Sequence, residues 1–335
     1  MRWKLGALAV TVALLVGGCR LRDAANSARL VIGSAARVDA LATDQQYGTV
    51  LAGEFSMLVP ENELKWDTTE PQQGIYDFTA ADQLAAFATS HNMSVRGTPL
   101  VWHQQNPSWL TGSTWTAQTL GTVLDNHIAA LVGHYAGVVT QWDVVNEAFN
   151  DDGTLRSTLW SQTLGTGYID RAFKDARKAD SNAKLFYNDY NIEWSNAKSD
   201  AVYAMVASMK QRGIPVDGVG FQMHALKRFP TGADLQQEFA RYAALGVDVA
   251  ITEMDVRILV PPTNADLQAQ AQTYHDATAA CVGASNCHTV FVWGFTDKYS
   301  WIPSFFPGYG AADLYDSNYN AKPARAAVED ALLRR

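Results

Sequence analysis

Residues 141–149 read Gln-Trp-Asp-Val-Val-Asn-Glu-Ala-Phe, a mostly apolar run that opens into a polar pair, Asn146 and Glu147. The run is typical of a buried strand, and the polar pair marks its carboxyl end. A carboxyl group at such a strand end is partly desolvated, which raises its pKa toward values useful for donating a proton. A loop glutamate that merely caps the next helix is an equally good interpretation of this segment alone. The two interpretations differ in whether a second carboxylate occurs in a matching context.

Eight strand-like runs recur along the chain, and segments of helical character lie between most of them. This alternation predicts a parallel sheet closed into a (β/α)8 TIM barrel of the α/β class. An open doubly wound sheet is the alternative, but no Gly-x-Gly-x-x-Gly follows the first run. The strand-like runs are Leu30–Gly33, Phe55–Val59, Ser94–Val101, Val138–Val145, Ala183–Tyr187, Gly218–Met223, Asp248–Thr252 and Thr289–Phe295. The helical segments are Thr79–Thr89, Leu120–Tyr135, Ile169–Lys178, Ala197–Lys210, Ala233–Ala244, Ala265–Ala279 and a closing helix, Pro323–Leu333.

In a TIM barrel, the residues that carry chemistry follow the carboxyl ends of the strands. Polar and aromatic side chains follow every strand-like run from the second to the eighth. Glu253 comes at the end of the seventh run, as Glu147 does at the end of the fourth. One carboxyl with a raised pKa and one held ionised is the arrangement that cleavage of a glycosidic bond requires. The pair therefore favours a two-carboxylate site over two unrelated helix caps.

Five segments, in this order and spacing, resemble glycoside hydrolase family 10, the retaining endo-β-1,4-xylanases. The resemblance extends from about residue 30 to the last helix. Its segments are Glu61–Trp66, Trp142–Glu147, Phe186–Asn191, Ile251–Asp255 and Trp293–Trp301. It implies a (β/α)8 fold, xylan or xylooligosaccharides as substrate, and catalysis without a metal or an organic cofactor.

Matched by position, the resemblance makes Glu147 the acid/base and Glu253 the nucleophile of a double displacement that retains configuration. Asn146 would bond the 2-hydroxyl of the sugar under attack. His224 would contact the nucleophile, with Asp255 behind it to fix its orientation. The substrate-binding residues that match are Glu61, Asn62, Lys65, Trp102, Gln105, Gln222, Tyr190, Trp293 and Trp301. Most of these belong to the non-reducing side of the cut, whereas Tyr190 resembles a stacking residue on the leaving side.

One position departs from the family pattern. The chain reads Arg96-Gly97-Thr98-Pro99-Leu100, and Thr98 stands where the family segment usually carries a histidine that helps to position the sugar. The departure bears on detailed contacts, rate or preferred substrate rather than on the reaction type. Some other polar and aromatic residues are interpreted differently: His103 as a core or supporting histidine, Asn188 and Asp189 as either loop structure or contacts, and Trp109 and Trp160 as core.

The N-terminus is interpreted as a targeting segment, not as part of the fold. Arg2 and Lys4 precede an apolar run from Leu5 to Val16, which is short for a bilayer span, and small residues follow. Cys19 comes directly after Gly17-Gly18, which resembles a bacterial lipoprotein signal in which that cysteine becomes the lipidated first residue. We expect residues 1–18 to be a signal peptide, residues 19–29 a short leader, and residues 30–335 a single catalytic domain. Ordinary secretion and a retained anchor are the alternatives.

Composition and cysteine usage agree with export. The net charge of −8 argues against nucleic acid or an anionic membrane surface as partner, so a lipid anchor would be the only membrane contact. Cys281 and Cys287 are six residues apart, and an oxidising compartment favours a disulfide between them, a pair that the resemblance also implies is bridged. A metal site is disfavoured there because no further cysteine or histidine completes a four-ligand set. We expect a monomer, facing the periplasm or cell surface if lipidated.

The sequence thus predicts an exported endo-β-1,4-xylanase. Two alternatives remain open at this point. One is a related barrel glycosidase acting on cellulose or mannan. The other is a catalytically silent xylan-binding lipoprotein, which would have no need of both glutamates.

Overall fold

A computed structural model describes residues 19–334, so the signal-like segment 1–18 lies outside the described residues. The strands are β1 (Val31–Ala36), β2 (Met57–Pro60), β3 (Ser94–Gly97), β4 (Val139–Asn146), β5 (Lys184–Asp189), β6 (Gly218–Phe221), β7 (His224–Leu226), β8 (Asp248–Leu259), β9 (Cys287–Val292) and β10 (Tyr309–Gly310). Eight of them pair in parallel in the order β1-β2-β3-β4-β5-β6-β8-β9, and β9 pairs back to β1. The sheet is therefore a closed (β/α)8 barrel, which confirms the predicted fold. The short strands β7 and β10 both pair with the outer part of β8.

The helices surround the barrel, and several begin at side-chain caps that the sequence supplies. Thr116, Asn196 and Thr263 each accept a hydrogen bond from the first turn of the helix that follows, in a reciprocal capping box. The helices are α1 (Leu21–Ser27), α2 (Val38–Thr43), α3 (Gln45–Glu54), α4 (Trp66–Thr69), α5 (Thr79–Ser90), α6 (Ser108–Thr111), α7 (Ala117–His134), α8 (Leu159–Leu164), α9 (Gly167–Ala179), α10 (Ala197–Gln211), α11 (Gly232–Ala243), α12 (Asn264–Gly283), α13 (Ile302–Phe305) and α14 (Pro323–Leu333).

The segment 19–29 differs from the expected polar leader. It contains α1, whose Leu21, Ala24 and Ala25 are fully buried in the main core. The guanidinium of Arg325 on α14 donates to the Cys19 carbonyl at 2.6 Å and to Glu54 at 2.9 Å, which fixes the start of the described chain. The apolar positions of α1 are few and spaced among charged residues, so composition alone suggested a leader. The packed unit begins near residue 20.

Large and small residues alternate across neighbouring strands inside the barrel. A Cβ added at Gly97 would lie 2.0 Å from the ring of Trp142, its register partner on β4. A Cβ at Gly33 would lie 2.2 Å from the ring of Phe291, its partner on β9. Glycine is required at these positions because the ring across the ladder occupies the space. The interior is a packed core, and the space for a ligand lies at the barrel mouth.

Two further features concern the outside of the barrel. Cys281 in α12 and Cys287 at the start of β9 are disulfide-bonded, with Cα atoms 5.1 Å apart, which confirms the predicted pair. The described helices include none that is both long enough and apolar enough to cross a membrane.

Candidate active site

A cleft of about 510 Å³ opens at the carboxyl ends of the barrel strands. Both predicted catalytic glutamates line it, together with Asn146 and His224. Asp255 is fully buried behind His224. The predicted binding residues that line the cleft are Glu61, Asn62, Lys65, Trp102, Gln105, Tyr190, Gln222, Trp293 and Trp301. The structure thus brings every predicted substrate-binding side chain into one depression.

Glu147 follows β4 directly and has an unusual backbone conformation. Its φ of +57° lies in the left-handed region, which is uncommon for residues other than glycine. Its amide donates to the Asn188 carbonyl at 2.9 Å, so the pairing between β4 and β5 extends one residue beyond the strand. The arginine Arg156 donates to the Glu147 carbonyl at 3.0 Å. These contacts hold the strained residue in place and turn its side chain into the cleft.

The carboxyl group of Glu147 accepts three hydrogen bonds. The indole of Trp102 donates to Oε2 at 2.8 Å, while the amides of Gln222 and Asn146 donate to Oε1 at 3.0 and 3.1 Å. Burial raises the pKa of Glu147 above its ordinary value; the bonds from Gln222 and Trp102 oppose that rise, and the charge of Glu253 adds to it. A raised pKa is the property that a proton donor needs near neutral pH.

Glu253 follows the inner part of β8 and is held by two donors. The Asn188 amide donates to Oε1 at 2.7 Å, and His224 Nε2 lies 3.1 Å from Oε2. The other ring nitrogen of His224 lies 2.8 Å from Asp255 Oδ2. Burial opposes the charged form of His224, but the charge of Asp255 and hydrogen bonds to both carboxylates outweigh it and raise the pKa to about 10. A charged imidazolium therefore stands beside Glu253 and stabilises its carboxylate.

A chain of three amides connects the two carboxyl groups. The Gln222 side-chain amide donates to Glu147 and to the side-chain oxygen Oδ1 of Asn146, the latter at 3.1 Å. Asn188 donates to the same Asn146 oxygen at 2.9 Å and to Glu253. The positions of the two glutamates are thus coupled through Gln222, Asn146 and Asn188, and rotation of any one amide disturbs its neighbours.

Asn188 is a positioning residue that sequence reasoning left unassigned. It is fully buried on β5, and its side-chain oxygen Oδ1 accepts from the Thr252 hydroxyl at 2.7 Å. Gly220, its register partner on β6, is the signal that could have identified it. A Cβ at Gly220 would lie 2.2 Å from Asn188 Oδ1, so a glycine at that position makes room for the amide.

Four residues after β2 and β3 form a polar group on one side of the cleft. Asn62 Oδ1 accepts from Lys65 at 3.0 Å and from Gln105 at 3.3 Å, while its amide lies 3.4 Å from Glu61. Burial raises the pKa of Glu61 to about 7, against the charges of Arg37 and Lys65. This mixture of donors and acceptors suits sugar hydroxyls, each of which both donates and accepts.

Aromatic faces complete the cleft walls. Trp301 donates from its indole to Asp255 Oδ2 at 2.9 Å and packs edge-on against His224. The Lys65 ammonium lies 5.3 Å from the Trp102 ring centre. The Lys198 ammonium lies over the Tyr190 ring, 3.5 Å from the ring centre, and the Tyr190 hydroxyl accepts a hydrogen bond from Arg156 at 3.2 Å. These contacts fix the rings before a ligand arrives.

The remaining polar and aromatic residues lie behind or beside the cleft. His103 Nδ1 lies 3.9 Å from Glu147 Oε2, and burial, with the charges of Arg156 and Lys198, lowers the pKa of His103 to about 4. Asp189 is fully buried against Lys198, away from the cleft lining. Trp160 is buried against Trp66, as predicted. Thr98 is buried, and its hydroxyl has no hydrogen-bond partner within residues 19–334.

Several cleft residues were not predicted from the sequence. They come from the outer part of β8 and from the loops after β3, β5 and β9. These residues are Pro99, Gln104, Asn191, Arg257, Phe305 and Phe306.

Comparisons with known proteins agree with this geometry. The model of "Glycosyl hydrolase family 10" matches residues 20–331. The chain is 45% identical over 284 residues to endo-1,4-beta-xylanase C of Phanerodontia chrysosporium, covering 84% of this chain and 71% of the relative. It is 42% identical over 287 residues to endo-1,4-beta-xylanase B of Thermotoga neapolitana, covering 85% and 83% of the two chains.

Solved structures give the same result in three dimensions. Native xylanase 10B from Thermotoga maritima superposes with a TM-score of 0.92 at 44% identity, covering 94% of this chain and 98% of that one. Xylanase 10B from Thermotoga petrophila RKU-1, solved in complex with xylobiose, also gives 0.92, at 43% identity and with 95% and 98% coverage.

Proposed function

The chain belongs to glycosyl hydrolase family 10, and from that premise we propose that Glu147 and Glu253 carry out the double displacement of an endo-1,4-β-xylanase. The enzyme hydrolyses internal β-1,4-xylosidic bonds with retention of configuration. Glu253 is the nucleophile and Glu147 the acid/base. This assignment rests on the chain of side-chain amides Gln222–Asn146–Asn188, which connects the two carboxyl groups. At one end is Glu147, whose pKa is raised, and at the other is Glu253, which faces the His224 imidazolium.

In the first step, a carboxylate oxygen of Glu253 attacks the anomeric carbon, and the bond from that carbon to the leaving oxygen breaks. The proton of Glu147 passes to the leaving oxygen, so the departing chain leaves as a neutral alcohol. Asn188 and His224 hold the attacking carboxylate in place. The product of the step is a glycosyl ester on Glu253 and an ionised Glu147.

In the second step, Glu147 acts as the base. It takes a proton from water as the water oxygen attacks the anomeric carbon, and the ester bond to Glu253 breaks. Both carboxyl groups return to their initial protonation states. Asn146, which donates to Glu147, has a second amide N–H with which to bond the 2-hydroxyl of the sugar under attack.

Xylan is the substrate that the cleft residues and the relatives favour. The solved relatives include proteins in complex with xylobiose and with xylotriose. We assign Glu61, Asn62, Lys65 and Gln105 to sugars on the non-reducing side, with Trp102, Trp293 and Trp301 lining that side. These bulky rings leave little space for a hydroxymethyl group at C5, which favours xylose over glucose. Tyr190 is assigned to the leaving side.

The stereochemistry of the product tests the two-glutamate scheme. Proton NMR of xylohexaose hydrolysis, recorded before mutarotation, should show the β-anomer as the first product. An α-anomer formed first would contradict the assignment of Glu253 as nucleophile. Comparing initial rates on xylan, cellulose and mannan tests the substrate, with xylan expected to be fastest.

We also propose that the chain is exported and carries a lipid on Cys19. Cys19 is exposed with a free thiol, and its predicted signal precedes the described residues. The relatives include fungal proteins, so support for a bacterial lipoprotein rests on the motif around Cys19. In a bacterial host, Cys19→Ser should release active enzyme from the membrane fraction and abolish labelling with a radioactive fatty acid. Labelling that persists in the variant would contradict the proposal.

A further inference from the structure

Arg257, on the outer part of β8, lines the cleft but takes no part in the proposed chemistry. One of its N–H groups donates to the His224 carbonyl at 3.3 Å, and its guanidinium lies 4.2 Å from the ring centre of Phe306. Within residues 19–334 no carboxylate lies within ion-pair distance of it. A guanidinium has five N–H donors, so most of its hydrogen-bonding capacity remains available to a ligand.

The two nearest carboxylates already pair with another cation. Glu253 and Asp255 flank His224, which is charged because its pKa is raised to about 10. Their ion-pair partner is His224 and not Arg257. Glu253 and Asp255 together carry one more negative charge than His224 offsets, and the chain carries a net charge of −8. A substrate with negative groups would be repelled by these carboxylates unless a cation such as Arg257 received it.

An exposed aromatic ring lies next to this cation. Phe305 is 63% exposed and lines the cleft. Its ring centre lies 5.2 Å from that of Trp301 and 5.0 Å from that of Phe306, the ring on which the Arg257 guanidinium stacks. Phe305 and Arg257 thus present a flat apolar face and a planar cation side by side, each supported by Phe306.

We propose that Arg257 and Phe305 form a subsite for a uronic acid branch on the xylan chain. This inference rests on the proposed xylanase function and specifies the kind of xylan. The guanidinium binds the branch carboxylate through paired N–H donors, a geometry that arginine offers and lysine does not. The ring of Phe305 packs on the apolar face of the branch sugar.

The test compares glucuronoxylan with the same polymer after its carboxyl groups have been reduced to primary alcohols. The measured quantity is the ratio of kcat/KM on the acidic polymer to kcat/KM on the reduced one, which is independent of a general loss of activity. The wild-type ratio should exceed 1, and it should fall about tenfold in Arg257→Met, which removes a charge-assisted hydrogen bond. Arg257→Lys should give an intermediate ratio. The preference should also shrink as salt is raised.

Two further variants separate charge from ring stacking. Lys298→Met removes a cation that pairs with Asp44 outside the cleft lining, so it should keep the wild-type ratio. Phe305→Ala should lower kcat/KM on both polymers alike, because the reduced branch still presents a sugar ring.

The outcomes distinguish this inference from the function it rests on. A wild-type ratio of 1 or less, or an Arg257→Met ratio equal to that of wild type, would overturn the uronate subsite while leaving the xylanase assignment intact. Failure of the wild-type enzyme to hydrolyse either polymer would contradict the proposed function itself.

Discussion

In the cleft, Glu147 and Glu253 are each only 8% exposed, and all four of their carboxyl oxygens accept a hydrogen bond. Asp313, in the loop after β10, is fully buried, yet neither of its oxygens has a partner within residues 19–334. Its surroundings are Asp297 and Lys322, which pair with each other at 3.1 Å, and the Ser300 hydroxyl, which lowers the pKa of Asp313 but forms no hydrogen bond of normal geometry with it. We call Asp297, Ser300, Asp313 and Lys322 the Asp313 cluster.

Burial raises the pKa of Glu147 and of Asp313 alike, so burial is not what distinguishes the two regions. At Asp313 the negative charge of Asp297 adds to the rise, and Lys322 is already occupied by Asp297. At the cleft, directed donors fix each carboxyl group in one orientation. The comparison indicates that a catalytic carboxyl needs burial together with oriented donors, whereas burial without such donors raises the pKa and costs stability.

Replacing an acid by its amide in each region should give the largest difference in activity between the cleft and the Asp313 cluster. Glu253→Gln removes the proposed nucleophile, and we expect kcat/KM on soluble xylan to fall by about 10⁴-fold or more. Asp313→Asn makes the same chemical change at a carboxyl that is buried outside the cleft, and kcat/KM should stay within about twofold. Initial rates by reducing-sugar assay measure both. Residual wild-type turnover in Glu253→Gln would contradict the assignment of the nucleophile.

The pH profile tests the raised pKa of Glu147. The acid must hold its proton in the first step, so activity should fall as pH rises through the pKa of Glu147 and give the basic limb of a bell-shaped profile. His224 stays charged over this range because its pKa is raised to about 10. In Glu147→Ala, kcat should fall by about 10²- to 10⁴-fold and the basic limb should vanish. A basic limb that survives in the variant would assign the titration to another group.

The donors themselves can be disturbed without touching a glutamate. Gly220→Ala places a methyl group against the Asn188 amide, which should turn Asn188 away from Glu253 and Asn146. We expect kcat to fall by about tenfold or more, with a smaller change in KM. Gly218→Ala is the matched control on the same strand, where the methyl group meets Phe186. That control should lose thermal stability while keeping a larger share of kcat; equal losses in both variants would mean that packing alone explains the effect.

Much of the fold could be predicted from the sequence because its signals are local. The eight strand-like runs coincide with barrel strands, since each is a short apolar run followed by polar residues. Helix α3 was missed because only Tyr47 and Leu51 among its ten residues are buried, which leaves little apolar periodicity to detect. Helix α1 was missed because its burial depends on α14, far away in the chain.

Site residues that belong to a sequence motif could be predicted, whereas those positioned only by tertiary packing were missed. Glu147 and Glu253 occur in recognisable segments at strand ends, and the structure places both in the cleft. The bridging role of Asn188 depends on three side chains from different strands, which no single segment reveals. Arg257 and Phe305 enter the cleft through the outer part of β8 and the loop after β9, whose path depends on tertiary packing.

Stability should respond to the missing donors of Asp313. Because burial raises the pKa of Asp313 well above 3.8, the folded state holds this proton to higher pH than the unfolded chain does. Raising the pH above about 4 therefore favours unfolding of the wild-type protein. Asp313→Asn cannot lose a proton, so it should be more stable by on the order of 1 kcal/mol at pH 7, with a smaller gain at pH 4. Thermal melts at the two pH values measure the difference; a gain independent of pH would contradict the titration of Asp313.

The smallest effect is expected at Thr98, which combines features of both regions. It directly follows a barrel strand, β3, as the proposed acid/base Glu147 follows β4, yet its buried hydroxyl, like the Asp313 carboxyl group, lacks a partner within residues 19–334. Thr98→Val removes the unpaired hydroxyl and keeps the shape, so the free energy of unfolding should rise by roughly 1 kcal/mol or less. The kcat/KM on xylohexaose should stay within about twofold, because Thr98 is not among the cleft-lining side chains. A tenfold loss of kcat/KM at unchanged stability would instead show that the hydroxyl bonds the bound sugar, as the family histidine would, and would move Thr98 from the packed edge into the site.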